Sequence, residues 1–397
     1  MVLGVYFLTP FILIDNYFCV NGGFLVIVEQ MRRKILHSFY AGLGGHTAVF
    51  FASLKYSEGF FDTFVAMYGI EDPLVSTKNQ LKDNNIPFLF EKKRGKFDFF
   101  HAVRYAWAIR KKQADVVFLH GGYGILYVFL FCVLFGKSKI VIRETQALNL
   151  KTRRQRFNSV LSLFLATRVV FLSEDYRNQF FNSSLKRNFL HKAKIIPNGL
   201  DLEMFQPAPL EAKTEIINIG MFSRIVPIKD YRTLINAFAK IIEKEYFQTR
   251  LVIAGDGSDL PNIIQYTKDM NVDKYCIFKG LLNRDQLVDY LQTLDVYVHS
   301  SLGETMSNSI MQAQACGLPI VATDVFGINN VVTNKVNGFL FDLGDVEGLV
   351  SHLEAFINSS DMRSEFGDRS RVYAEEHLSD ELMGRRYNKV FKEMVSL

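Results

Sequence analysis

The chain has 397 residues, 49% of them hydrophobic, and a mean hydropathy of +0.08; the length exceeds one ordinary core and the composition excludes a disordered chain, so two globular domains are expected. Four cysteines, Cys19, Cys132, Cys276 and Cys316, have no paired spacing, which implies neither a disulfide framework nor a zinc site and fits a reducing cytoplasm. The net charge of +5 is lopsided: residues 1–200 carry 27 Lys and Arg against 13 Asp and Glu, a net +14, and residues 201–397 carry 19 against 28, a net −9.

Residues 1–30 are apolar and aromatic, with no Lys or Arg before Arg32, so they lack the basic start of a signal peptide. Asp15, Asn16 and Asn21 interrupt the run and leave Val2 to Ile14 too short to span a bilayer. Met31-Arg32-Arg33-Lys34 reads as a natural start, so this 1–30 extension is assigned to an upstream start codon, with a membrane anchor as the alternative. Beyond it, short apolar strands alternate with amphipathic helices, the pattern of parallel sheets covered on both faces in an α/β fold. Strands are expected near Lys34–Tyr40, Thr63–Tyr68, Pro87–Phe90, Asp115–His120, Lys139–Arg143 and Arg168–Leu172. The apolar run Ile125–Phe135 is too short to span a membrane and reads as a buried helix. After Pro207-Ala208-Pro209 the pattern restarts, with strands near Glu215–Met221, Arg250–Ala254, Tyr275–Lys279, Val296–His299, Pro319–Ala322 and Gly338–Phe341. Two Rossmann-like domains result, with a ligand cleft at the carboxyl ends of both sheets.

Several motifs fall at those strand ends. Gly42-Leu43-Gly44-Gly45-His46 follows the first strand, where Gly44 and Gly45 let the backbone approach a phosphate or sugar at a helix N-terminus; a tight turn that binds nothing is the alternative. His120 ends the strand Asp115–His120 at the cleft edge, where it can hydrogen-bond a hydroxyl. Arg224 and Lys229 lie just past Glu215–Met221, where fixed cations would stabilise negative charge on an anionic group; a surface ion pair is the alternative for each. Asp230 reads as the cap of the following helix. Ser300 to Ile320 opens from a strand into a helix, so unpaired backbone N–H groups face one spot that suits an anion. Glu304, Thr305, Met306, Ser307 and Asn308 lie at that entrance, and Gln312 follows Glu304 by eight positions. Phe278-Lys279-Gly280 is placed to meet a base through its backbone. No acids converge as metal ligands and no Asp-x-Asp is present, so no metal is expected.

The basic clusters include Arg32-Arg33-Lys34, Lys92-Lys93-Arg94 with Lys96, Lys151 with Arg153, Arg154 and Arg156, and Lys186-Arg187 with Lys192 and Lys194. Solvated loops are the plain alternative for any one of them. Together they favour an anionic partner, and without a recognised nucleic-acid module that partner is an anionic membrane face or a pyrophosphate-linked lipid rather than nucleic acid.

The order Ile196-Pro197-Asn198-Gly199-Leu200-Asp201, Gly220-Met221-Phe222-Ser223-Arg224 with Lys229, Ala254-Gly255-Asp256-Gly257, then Glu304 through Cys316-Gly317-Leu318-Pro319, resembles the retaining GT-B glycosyltransferases of family 4, the glycosyl transferases group 1. The resemblance covers most of residues 31–390 and departs from the family at Gln312, where a second glutamate is usual. It implies an acceptor-side Rossmann-like domain over 31–205, a nucleotide-sugar domain over 206–378, and a last helix in 379–397 that crosses back to the first. It further implies catalytic roles for His120, Arg224, Lys229 and Glu304, with Glu304 on the transferred sugar and position 312 on the ribose. The donor would be a UDP- or GDP-sugar with no other cofactor, and the acceptor a saccharide or lipid-linked saccharide of capsule or O-antigen type, used by an enzyme on the inner face of the cell membrane. A non-catalytic partner subunit and a nucleotide-sugar hydrolase or epimerase are the rival readings.

Overall fold

The computed structural model describes residues 13–14, 17–20, 24–26, 32–42, 46–57, 59–95, 98–121, 138–182, 184–209 and 215–396. Three short strands, β1 (Leu13–Ile14), β2 (Tyr17–Val20) and β3 (Phe24–Val26), pair antiparallel as a separate meander. Outside the described residues lie Gly44 and Gly45, the helix expected over Ile125–Phe135, and most of the 1–30 extension.

The first large sheet contains β4 (Arg33–Tyr40), β5 (Phe61–Gly69), β6 (Phe88–Lys92), β7 (Val116–His120), β8 (Lys139–Glu144), β9 (Arg168–Phe171) and β10 (Ala193–Ile195). Its order is β10-β9-β8-β7-β4-β5-β6, and every pairing is parallel. Its helices include α1 (His46–Lys55), α2 (Val75–Asp83), α3 (Phe99–Arg110), α4 (Arg153–Leu165) and α5 (Glu174–Phe180). Tyr105 and Ile109 of α3, Leu163 of α4 and Tyr176 of α5 pack on one sheet face, while Val49 and Ala52 of α1 pack on the other.

The second sheet contains β11 (Ile217–Phe222), β12 (Thr249–Ala254), β13 (Cys276–Gly280), β14 (Val296–His299), β15 (Ile320–Thr323) and β16 (Gly338–Phe341). The order β13-β12-β11-β14-β15-β16 is again wholly parallel. Helices α6 (Tyr231–Glu243), α7 (Leu260–Asp269), α8 (Arg284–Gln292), α9 (Asn308–Ala315), α10 (Val346–Asn358) and α11 (Ser360–His377) accompany it. Strands such as Val296–His299 are buried along their whole length, which is why they read as unbroken apolar runs. The two units are Rossmann-like and form the GT-B fold.

Every strand expected from an apolar run is present, with ends displaced by no more than two residues. The exceptions run the other way: the short β1, β2 and β3 were not expected, and neither was β10, whose three half-buried residues follow Lys192, include Lys194 and carry no apolar run at the sheet edge. The last helix, α12 (Asp380–Val395), starts at Ser379, whose side chain accepts from the Leu382 N–H at 3.1 Å. Met383, Tyr387, Val390, Phe391 and Met394 of α12 join the core formed by Ile35, Val49, Ala52 and Phe118 of the first unit. Asn388 Nδ2 donates to the Ser53 carbonyl at 2.9 Å. A Cβ at Gly384 would lie 2.5 Å from the Ala52 carbonyl oxygen, so glycine there lets α12 approach α1 closely. Among the described residues no helix is long and apolar enough to cross a membrane.

Candidate active site

The carboxyl end of the second sheet gathers most of the expected residues. β14 ends at His299, which is fully buried, and the following loop carries Glu304 back toward it. The Glu304 N–H donates to the Phe326 carbonyl at 3.2 Å. Gly327, with φ +88°, makes that approach possible: a Cβ there would lie 2.3 Å from the Glu304 carbonyl oxygen. Glu304 Oε1 accepts from Lys229 Nζ, at the end of the 3-10 turn Pro227–Lys229, and from His299 Nε2 at 3.0 Å. Burial pushes the Glu304 carboxyl up, but the His299 hydrogen bond and the Lys229 ammonium outweigh it and bring the pKa down to about 2. His299 is shifted the other way, kept below the usual imidazole range chiefly by burial.

An ionised carboxylate only accepts, so His299 Nε2 carries the proton and Nδ1 is an acceptor 3.2 Å from the Tyr297 hydroxyl, whose single proton is shared with the Phe222 carbonyl at 3.1 Å. Ser307 Oγ lies 3.3 Å from the same Nε2. Asp230 caps α6 as expected, its carboxylate accepting from Thr233 Oγ1 at 2.7 Å and the Thr233 N–H at 3.4 Å.

A pocket of about 430 Å³ opens beside this cluster, and Arg224, Lys229, Asn308, Ser309 and Gln312 line it. Gly255, with φ +128°, forms part of its wall; a Cβ would lie 1.9 Å from the Ser223 carbonyl oxygen, so only glycine lets the two loops meet. Arg224 is exposed and forms no ion pair among the described residues, whereas Lys229 is held by Glu304. Two expected members stand apart. Phe278 packs against the second unit's core and Lys279 is exposed on β13, while Leu281 and Leu282, two and three positions beyond Lys279, line the pocket.

A second cleft of about 470 Å³ lies between the units, lined by His120, Arg143 and Thr145 from the first and by Glu304, Thr305, Met306 and Asn308 from the second. Contacts across it are specific. Ala147 N–H donates to Thr305 Oγ1 at 2.9 Å, Asn198 Nδ2 donates to Asn308 Oδ1 at 2.9 Å, and the Asn198 N–H approaches Met306 Sδ at 3.3 Å. His120 Nε2 lies 3.1 Å from His37 Nδ1, both rings buried. Burial lowers His37 to about 3; it lowers His120 as well, helped by the nearby His37 and Arg143 charges.

Sequence reasoning passed over His37, Arg143 and His299. His299 and Arg143 stood at the last position of an expected strand, the same signal that singled out His120, and nothing else marked them. One expectation is overturned. Lys151 is not part of a solvent-facing basic cluster: it pairs with Glu144, each side chain 2% exposed, and donates to Ser159 Oγ at 2.6 Å and Tyr176 OH at 3.1 Å. The chain turns inward there because Lys151 precedes the Thr152–Gln155 capping box that starts α4, which leaves Arg153, Arg154 and Arg156 exposed. Some other basic residues are paired too, Lys92 with Asp72 and Lys194 with Glu393. Cys276 and Cys316 are free, and burial raises both thiols to about 12. Among the described residues no three His, Cys, Asp or Glu side chains converge as a metal site.

Comparison with known proteins agrees with this arrangement. The family model for glycosyl transferases group 1 matches residues 204–373. The UDP-Gal:alpha-D-GlcNAc-diphosphoundecaprenol alpha-1,3-galactosyltransferase of Escherichia coli is 34% identical over 174 residues, 41% of this chain and 44% of that protein. The capsular polysaccharide biosynthesis glycosyltransferase CapM of Staphylococcus aureus is 26% identical over 252 residues, 59% of this chain and 64% of that protein. The chain thus matches about half to two thirds of the length of these relatives. In fold, it superposes on Anabaena HepE in complex with UDP at a TM-score of 0.77 and 17% identity, covering 91% of this chain and all of that one. Residues 204–373 thus carry the match to the glycosyl transferases group 1 family, and the first unit lies outside it.

Proposed function

We propose that the protein is a retaining glycosyltransferase that moves a sugar from a nucleotide-sugar donor to an acceptor hydroxyl. The single observation that carries this reading is the pairing of Lys229, Glu304 and His299 beside a pocket that also holds Arg224, on the rim that faces His120 across the cleft. In this reading the donor diphosphate lies against Arg224 and Lys229, its ribose near Gln312 and its base near Leu281 and Leu282, with Thr305, Met306, Ser307 and Asn308 along the sugar and phosphates. Gly44, Gly45, Phe278 and Lys279 are secondary donor contacts, the last two through their backbone.

Without donor, Lys229 and Glu304 neutralise each other; an arriving diphosphate competes for Lys229 and frees one Glu304 oxygen for the sugar hydroxyls, while His299 keeps the carboxylate aimed. The bond from the sugar C1 to the β-phosphate oxygen breaks as the acceptor oxygen bonds to C1 on the same face. The acceptor proton passes to a donor phosphate oxygen, so no protein nucleophile is required. The cations stabilise the leaving diphosphate more than the bound donor, which is what accelerates the step. His120 positions the acceptor.

UDP-sugar is the favoured donor because the structurally similar HepE was solved with UDP and the Escherichia coli relative is named for UDP-Gal. A lipid-linked saccharide of surface-polysaccharide type is the favoured acceptor, since relatives are named for a diphosphoundecaprenol substrate and for capsule biosynthesis. The enzyme would work without a metal at the inner face of the cell membrane. The test is product analysis with a panel of UDP- and GDP-sugars, with and without lipid-linked acceptors, reading product mass and anomeric configuration. A glycosylated acceptor with the donor's configuration supports the proposal. Free sugar as the only product indicates a hydrolase, an altered nucleotide-sugar an epimerase, and no turnover of any donor a non-catalytic subunit.

A further inference from the structure

The inner wall of the cleft contains a cation that the protein does not neutralise. Arg143 is 4% exposed, lines the cleft, and has a buried Nε with no hydrogen-bond partner. Its Nη2 donates to Asn198 Oδ1, a neutral amide, and it forms no ion pair among the described residues. Glu144 is next in sequence, but strand alternation sends it to the opposite side of β8, where Lys151 takes its charge. The contrast within the chain is clear: Lys151 and Lys229, also buried or nearly so, each have a carboxylate.

A buried cation without a counter-charge is strongly unfavourable, and such a group in a cleft marks a place that an incoming anion completes. Two residues that line the same cleft, His46 and His120, each have a buried ring nitrogen without a hydrogen-bond partner, Nε2 and Nδ1 respectively. Burial holds both imidazoles below their usual range, His46 at about 4, so they remain neutral partners for hydroxyls. We propose that Arg143 seats an anionic group of the acceptor, a phosphoryl or a carboxylate, with acceptor hydroxyls at His46 and His120. This deepens the transferase reading and rests on it for the identity of the cleft as the acceptor site. The donor diphosphate is not the anion concerned, because Arg224 and Lys229 line a different pocket that Arg143 does not reach. A guanidinium meets a phosphoryl or carboxylate through paired N–H donors, so both the charge and the fork contribute.

The test is a titration that needs no turnover. In the full chain carrying Arg224→Gln and Lys229→Gln, which silences the donor side, sodium pyrophosphate, inorganic phosphate and malonate are titrated calorimetrically. At least one should bind, and adding either Arg143→Gln or Asn198→Asp should weaken it about tenfold or more. Asn198→Asp keeps the arginine but supplies an internal carboxylate, so it should abolish the seat while the guanidinium stays in place, which separates loss of the anion site from loss of the side chain. Binding by phosphate and pyrophosphate alone assigns a phosphoryl, and binding by malonate as well extends the seat to carboxylates. The proposal is overturned if no anion binds the double variant, or if binding is indifferent to both added substitutions. Either outcome leaves the transferase reading standing, just as a failure to find transfer leaves the titration result intact.

Discussion

The two rims of the cleft are built on opposite electrostatic plans. On the second unit, Glu304, Lys229 and His299 form a closed circuit in which each charge has a partner, with Arg224 alone left open. The first unit instead presents neutral imidazoles and the unpaired Arg143, so its groups are incomplete until something binds. The difference teaches where generality and specificity reside. A paired circuit can be carried unchanged among enzymes that share a nucleotide-sugar donor, and the family match indeed falls on residues 204–373. The incomplete rim lies outside that match, and under the proposed function it is where an acceptor would bind.

The largest effect should come from breaking the buried pair beneath the first rim. Lys151→Ala leaves Glu144 buried without a counter-charge and should cost about 3–5 kcal/mol of stability in urea denaturation. Gln at Arg153, Arg154 and Arg156 together should change it little. Equal effects would mean that Lys151 is not the inward member of that group. Next, Arg224→Ala or Lys229→Ala should lower turnover about 100-fold or more, as the loss of a positioned electrostatic contact does. His120→Ala should act mainly through acceptor KM, and the reverse pattern would exchange the roles of the two rims.

A smaller effect concerns pH. His37, His46 and His120 have folded pKa values below the unfolded value of 6.5, so each takes up a proton on unfolding once the pH drops below 6.5. Stability from this source is therefore full above about pH 6.5 and declines toward about pH 3, and His37→Phe should flatten the decline. Glu304 acts in the same direction over a lower window: its depressed pKa adds stability that is complete above about 4.5 and is lost only as pH falls toward about 2. An acidic slope unchanged by His37→Phe would place the buried proton uptake elsewhere. The smallest effect should be that of chelator, which should leave activity intact; loss restored by magnesium or manganese would show that cations other than Arg224 and Lys229 hold the diphosphate.

Much of this was legible in the sequence. Buried parallel strands are continuous apolar runs, and the residues that follow them are the rim, so Arg224, Lys229, Glu304 and His120 could be placed from position alone. Long-range pairing was not legible. Nothing local indicates that Glu304 reaches Lys229 and His299, that His120 meets His37 across 83 residues of chain, or that Lys151 turns inward while its neighbours do not. The pocket wall was read at Phe278 and Lys279, the strand's end, whereas Leu281 and Leu282 in the turn beyond it are the residues that line the pocket.

The division of labour between the rims is tested most directly by titrating UDP and GDP calorimetrically against the wild type, Arg224→Ala, Lys229→Ala, His120→Ala and Arg143→Gln. One nucleotide should bind the wild type, should bind each second-unit variant about tenfold or more weaker, and should bind both first-unit variants unchanged. Nucleotide binding that is lost in His120→Ala or Arg143→Gln while Arg224→Ala and Lys229→Ala retain it would contradict the account.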